Sequence, residues 1–264
     1  MSLYADLYRY RELFLNLFRR DLEVRYRGSA LGLVWTLVNP LVLMGVYTLL
    51  FSMLLRAVSV DHFPLFVLAG LLTWVFFQSA VQGSSTSLVA HAGLVKQVRF
   101  PRQLLPLSVV GSTLVTFFAM LVVILPFNLA LIPETRSTFW AALPLIVPLV
   151  ALVCGLAVLV ASVNVLFRDV EHLVATIMLP WFVLTPIFYT FDDLPGVGDR
   201  QWVVDLMHYG NFLVPFVQAI RDPLFFGDMP AVGDVVYTLV AALAALGLGA
   251  LVFRRVDDRL AAEL

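Results

Sequence analysis

The side chains that could run acid–base, metal or nucleophilic chemistry are four His, one Cys and eighteen Asp or Glu in a sequence of 264 residues. His62, His91, His172 and His208 share no ligand spacing with one another, with Cys154 or with a carboxylate, so no metal centre can be read from them. Ser84, Ser85 and Ser87 have no neighbouring base except His91, and no Gly-x-Ser-x-Gly elbow occurs. A phosphate-binding P-loop is excluded, because it needs Gly-Lys-Ser/Thr and the only lysine, Lys96, is followed by Gln97. Any work done by ATP must therefore come from a separate subunit. The one cysteine allows no internal disulfide.

The elements around these residues are apolar. Hydrophobic residues make up 61% of the chain and charged ones 13%, against roughly 25% charged in soluble domains. The mean hydropathy is +0.94. This excludes a cytosolic enzyme, a disordered chain and a secreted disulfide scaffold, and the net charge of −1 gives no pull toward nucleic acid. The composition predicts an all-α integral membrane protein. Spans of about 20 residues are expected at 31–55, 63 to about 89, 104–132, 139–167, 172–191 and 234–253. The interiors of these six hold no Asp, Glu, Lys or Arg. An ionisable group at mid-membrane usually marks a proton or ion path, so gradient-driven antiport and intramembrane catalysis are disfavoured.

Lys and Arg set the orientation. Only Arg56, Arg136, Arg200 and Arg221 fall on one side of the expected spans, and the remaining cations fall on the other. Both termini are thus expected in the cytoplasm. Residues 1–27, with six Arg and four acids, are not expected to be a signal peptide, and residues 1–30 are expected to form a cytoplasmic interfacial segment. Leu3, Leu7, Tyr10, Phe14, Leu17 and Phe18 recur at helical spacing, which suits an amphipathic helix lying in the membrane interface or a surface helix packed on the bundle. Residues 31–264 form the membrane domain. Within it, about 192–233 is acidic, faces outward and is broken by Pro and Gly, with two apolar pieces too short to span. Two short re-entrant helices before the last span are expected there.

Two sets of residues remain as candidates for function. The short loop at 91–102 combines Lys96, Arg99 and Arg102 with Leu94 and Phe100, a handle that could dock in a cleft of a soluble partner. By composition alone it is also an ordinary cationic cytoplasmic loop. Pro101 is expected in the first turn of the helix that follows. The second set is aromatic. The chain holds 21 Phe, 8 Tyr and 5 Trp, and aromatic rings offer broad, weakly directional faces to a sliding ligand. Trp35, Tyr47 and Phe51 lie on the first expected span, and Trp181, Phe188 and Tyr189 on the fifth. Membrane-interface anchoring is the rival reading for Phe51 and Tyr189. Asn39, Pro40, Pro180 and Pro186 should loosen these two spans.

Several segments carry a family resemblance. DLEVRYRGSALG at 21–32, continuing through Trp35 to Asn39 and Pro40, resembles the segment by which ABC type-2 permeases lead into their first span, including Arg25, Tyr26, Arg27 and Gly28. GLLTWVFF at 70–77, VRFPRQLLP at 98–106, NVLFRDVEHL at 164–173 and LTPIFY at 184–189 are similar to further stretches in the same order. The likeness is closest to the branch that exports lipid-linked polysaccharides, O-antigens, capsules and teichoic acids. It implies a six-span half-transporter of the bacterial inner membrane that pairs with a second copy and with two ATP-binding subunits. ATP and Mg²⁺ would bind to those subunits, leaving this chain without a cofactor. The loop at 91–102 would be the coupling helix, Arg168 and Asp169 a secondary contact or helix caps, and the first and fifth spans the lining of a dimer-centred channel. The chain departs from the pattern at Glu23, often basic in the family, at Gln97, often a second cation, and at Asn211-Phe212, where an Asn-Pro pair is common. A type-2 exporter of a drug or lipid, a membrane-embedded glycan- or lipid-synthesis enzyme using Asp192, Asp193, Asp199 and Asp205, and a passive channel are the competing readings.

Overall fold

Charge-free apolar runs in lipid must satisfy every backbone N–H and C=O internally, which in one chain of this kind means helices. The computed structural model describes residues 10–26, 34–54, 60–97, 100–191 and 200–263, and the regular elements among these are all helical. In chain order they are α1 (Arg11–Tyr26), α2 (Val34–Tyr47) running into a wider turn at Thr48–Leu54, α3 (Phe63–Ser85), α4 (Ser87–Ala90), α5 (Ala92–Gln97), α6 (Leu104–Leu131), α7 (Ala142–Leu166), α8 (Val170–Leu184), α9 (Gln201–Gly210), α10 (Val214–Arg221) and α11 (Val232–Glu263). Short tight turns at Pro133–Ser137 and Phe139–Ala141 join α6 to α7, and a wide turn at Asp222–Phe226 follows α10.

Four stretches are long and apolar enough to cross a membrane: Phe63–Ser85, Leu104–Leu131, Phe139–Leu166 and Val232–Asp257. They match the second, third, fourth and sixth expected spans. The first and fifth correspond to shorter apolar helices, Leu37–Met53 and Val170–Leu184. The fifth was expected to run to Phe191 but stops at Leu184. The residue before a proline is driven out of the helical region, and Thr185, ahead of Pro186, is extended at φ −93° and ψ 127°. The last helix runs past its expected end at 253 because nothing after Phe253 breaks it.

The centre of the bundle is α3, in which every residue from Phe66 to Phe77 is buried. A helix that is apolar all round belongs inside. It packs against α6, α7, α8 and α10 in one core that includes Leu72, Phe76, Phe117, Leu149, Phe182 and Phe216. The helix α11 lies along α7 with its backbone in close approach at Gly155, Ala245 and Gly249, the small-residue contact by which membrane helices pack without a hydrophobic driving force between them.

A second cluster sits at one end of the bundle. It joins Leu17 of α1, Leu88, Val95 of α5, Leu104 and Leu105 of α6, Val158 and Val165 of α7, and Phe253 and Val256 of α11. The helix α1 is thus packed on the bundle: Leu17 is buried, Phe14 and Phe18 lie beside Gly111, and the Ser108 hydroxyl donates to Asp21 at 2.7 Å. Of the apolar face read from the sequence, Leu17 is buried and Tyr10, Phe14 and Phe18 are partly covered by protein, while Leu3 and Leu7 lie outside the described residues. Pro101 precedes α6 instead of sitting in its first turn. Its carbonyl accepts the Leu104 amide at 3.0 Å, and the first-turn proline is Pro106.

Candidate functional site

The residues singled out from the sequence gather at the two ends of the bundle. At the end that carries α1, the chain leaves α3, makes the short helix α4, turns at His91 and forms α5. Val95 faces the cluster beneath, Leu94 and Phe100 are half-buried against it, and Lys96 and Gln97 are exposed. The described part of the loop, 91–97 and 100–102, is therefore anchored by its apolar residues, with Lys96 outward. Arg102 is not a free docking cation: its Nη1 donates to the Asp257 carbonyl at 2.5 Å and to its Oδ1 at 3.2 Å, tying the loop to the tail of α11. Arg99 lies outside the described residues, as do Arg27 and Gly28. Arg25 and Tyr26 close the last turn of α1.

His91 adds a link that the sequence did not suggest. Its Nδ1 lies 2.7 Å from the Ser87 carbonyl, so that nitrogen carries the proton and Nε2 is left to accept from Arg20 of α1. The N-terminal helix is thereby fastened to the first residue of the loop. On the adjoining turn Arg168 and Asp169 are both exposed. Asp169 occupies the N-cap position of α8 without using its side chain. The buried Asn164 fills that role, its Oδ1 accepting the Glu171 amide at 3.0 Å.

Toward the other end, five of the six chosen aromatics come together. Tyr47 stacks on Phe188 at 5.0 Å, Phe51 lies 4.7 Å from Phe188, and Phe182 joins Tyr47 at 5.6 Å. Phe188 meets Tyr189 edge to face at 5.4 Å. Trp74 of α3 extends the group through Phe182 at 5.3 Å and Phe77 at 5.8 Å, and Phe77 leads to Trp181 at 5.3 Å. Trp35 stands apart, more than half exposed on the opposite stretch of α2. Phe188 and Tyr189 are buried, while Tyr47, Phe51 and Trp181 are half-buried, so within one chain the rings form a packed cluster that keeps part of its surface open.

Trp181 and the segment after α8 are held by α9 and α10, the two short helices expected before the last span. They differ sharply: α9 buries none of its residues, whereas α10 buries all of its residues except Gln218. Asn211 between them accepts from Trp181 Nε1 at 2.8 Å and from the Leu213 amide at 3.2 Å, and donates to Thr185 Oγ1 at 3.0 Å. The Asn211-Phe212 pair noted as a departure thus makes its own turn, with Pro215 in the first turn of α10. Three more contacts fix the hairpin from outside: Asn128 to the Leu224 carbonyl at 2.5 Å, Thr138 to the Pro223 carbonyl at 3.0 Å, and His208 with Asp234 at 2.6 Å. Asn128 and Asn164 were missed because the reading of the spans searched for charge. A buried amide inside an apolar helix was the available signal.

A family model described as "ABC-2 type transporter" matches residues 12–225. The chain is 36% identical over 208 residues to the "O-antigen export system permease protein RfbA" of Myxococcus xanthus, which covers 78% of this chain and 79% of the relative. A protein of the same name from Klebsiella pneumoniae is 33% identical over 220 residues, covering 83% of this chain and 82% of the relative. The "Polysialic acid transport protein KpsM" of Escherichia coli is 22% identical over 251 residues, 92% of each chain.

Proposed function

The chain belongs to the ABC-2 type transporter family, and we propose that it is the membrane subunit of an ATP-driven exporter of lipid-linked polysaccharide of the O-antigen type. It is a permease and not an enzyme, and the family implies an ATP-binding subunit as its partner. In this reading two copies assemble with two ATP-binding subunits, which hold ATP and Mg²⁺. The helices Leu37–Met53 and Val170–Leu184 complete six spans, with their flanking segments or local thinning of the bilayer making up the length. Both termini lie on the cytoplasmic side of the bacterial inner membrane, and α1 rests at that surface where the lipid-linked substrate arrives.

The observation that carries the polymer reading is the convergence of Tyr47, Phe51, Phe182 and Phe188 from α2, α8 and the segment beyond α8. A glycan presents C–H ring faces edged by hydroxyls, and aromatic faces stack on these without fixing one register. No charge need be left in the path, which suits a long repetitive cargo. Opening requires α2 and α8 to move relative to α3, and Pro40 and Pro180 within them remove backbone bonds that would otherwise resist bending. At the cytoplasmic end the loop with Lys96 outward and Phe100 half-buried supplies the seat for the ATP-binding subunit, and Arg168 and Asp169 offer a second contact beside it.

Cells depleted of the chain should accumulate undecorated polymer on its lipid carrier in the cytoplasm, and the tagged chain should bring down an ATP-binding subunit. Replacing Arg99 and Phe100 with Ala should remove that subunit while the membrane chain remains. Unchanged surface polymer after depletion would refute the assignment.

A further inference from the structure

The far end of α8 poses a problem of hydrogen-bond accounting. A helix leaves its last four carbonyls without partners, and inside a membrane protein each must find a donor. The Trp181 carbonyl accepts the Thr185 amide at 3.0 Å and the Thr185 hydroxyl at 2.8 Å. The Phe182 carbonyl shares the Thr185 amide at 3.2 Å, and the Val183 carbonyl takes the Tyr189 hydroxyl at 3.2 Å. The Leu184 carbonyl accepts Asn211 Nδ2 at 3.5 Å, and two residues further on the Pro186 carbonyl accepts Arg221 Nη1 at 2.7 Å. Two of these donors come from the hairpin of α9 and α10, not from α8 itself.

Arg221 is the more unusual of the two. It is 2% exposed, and its Nε has no partner. Among the described residues no carboxylate lies within ion-pair distance of it, and the Asp222 carboxylate offsets its charge only from further away. Its guanidinium lies over the Phe66 ring at 4.5 Å and near Phe226 at 5.8 Å, so ring faces and one carbonyl stand in for water. A cation buried this way is costly to keep, and the group it reaches is the carbonyl of Pro186, two residues beyond the end of α8. Residues 185–190 are also pressed onto α3: a side-chain carbon added at Gly70 would meet the Ile187 carbonyl oxygen at 3.1 Å. The strap thus has α3 on one side, with Asn211 and Arg221 holding its backbone and Thr185 from the hairpin.

We propose that Asn211 and Arg221 are positioning residues for export, holding residues 185–190 so that Phe188 and Tyr189 close the aromatic path. The hairpin sets the position of the strap, and the strap sets whether Phe188 stays against Tyr47 and Phe51. Movement of α10 opens the path and its return reseals it. The inference rests on the export reading, and its test separates the two.

The whole complex, with its ATP-binding subunits, is reconstituted in vesicles loaded with a small fluorescent anion, and leakage is followed without ATP. Asn211→Asp keeps the Oδ1 acceptor for Trp181 and Leu213 but loses the donor to Thr185, and Arg221→Met keeps the apolar stem. Each should raise leakage about tenfold, as expected when one closing contact is removed from a two-state gate. Arg221→Lys, which can still donate to Pro186, should restore part of the seal. Leakage equal to that of the unsubstituted complex, in variants that elute and melt normally, overturns the proposal. Should those variants fail to fold, the pair Thr185→Cys and Asn211→Cys in a Cys154→Ala chain is bridged with a short cleavable thiol reagent. The bridge should stop export and its cleavage restore it, and export that ignores the bridge overturns the proposal. Polymer transport by the unsubstituted complex is measured alongside. Its absence together with the expected leakage discards the export reading and leaves the gate, whereas transport without any leakage response discards the gate alone.

Discussion

Gly155 of α7 is the point at which the last helix presses closest, and what a side chain there would strike is backbone. A Cβ at this position would collide with the Ala245 carbonyl and the Leu246 nitrogen of α11, neither of which can swing aside as a flexible side chain would. Gly155→Ala should therefore force the two helices apart and cost about 1–3 kcal/mol, read as a lower melting temperature of the purified protein in detergent. Gly247, two residues from Ala245, offers the matched control. A Cβ there meets nothing within 4 Å, and Gly247→Ala should leave the melt unchanged or raise it, since alanine is the better helix former. Equal effects of the two substitutions would show that the close approach does not govern packing.

At the scale of elements, Pro186 decides where α8 stops. With Pro186→Ala the extended Thr185 is no longer enforced, and α8 can lengthen by a turn, withdrawing the Pro186 carbonyl from Arg221 and shifting Phe188. Export should fall with little change in the amount of folded protein, and export at the unsubstituted rate would show that the break is not needed. The elements were legible in the sequence wherever the signal was length and absence of charge. The long helices α3, α6, α7 and α11 fell where hydropathy put them. The two ends of the fifth expected span, α8, were not equally legible, because an apolar run continues through Phe191 while the helical backbone does not. The packed surfaces were less readable still. Arg102 reads as a free cation until the chain brings Asp257 beside it from 155 residues away, and the partners of Arg221 and Asn211 likewise depend on which helices become neighbours. The aromatic group was found by type and position, since Tyr47 and Phe188 lie on elements that the resemblance placed together, whereas Trp35 shows that a ring on the same helix can face elsewhere.

For the molecule as a whole, the hairpin before α11 concentrates ionisable groups whose linkage to folding can be measured. Burial pushes the Asp222 carboxyl from its ordinary 3.8 up to about 6; the cation of Arg221 opposes the rise, and Asp234 and Asp228 add to it. The folded chain then holds this proton more tightly than the unfolded chain. Its contribution to stability is greatest at low pH, is lost as pH rises between 3.8 and about 6, and leaves a penalty on the order of 3 kcal/mol above that window. Asp222→Asn should relieve the penalty, raising the melting temperature at pH 7.5 and flattening its dependence on pH across the window. An unaltered pH profile would place the titration elsewhere.

The last helix has a mechanical meaning beyond its contacts. Its 32 residues make a rod of about 48 Å at about 1.5 Å per residue. One part is gripped by His208 through Asp234, and another by Arg102 at Asp257. The rod contains no proline to act as a joint. Pivoting it by about 5° about one end would carry the other by about 4 Å over that length, so a small push beneath the loop at 91–102 arrives beside the hairpin as a displacement larger than a hydrogen bond can follow.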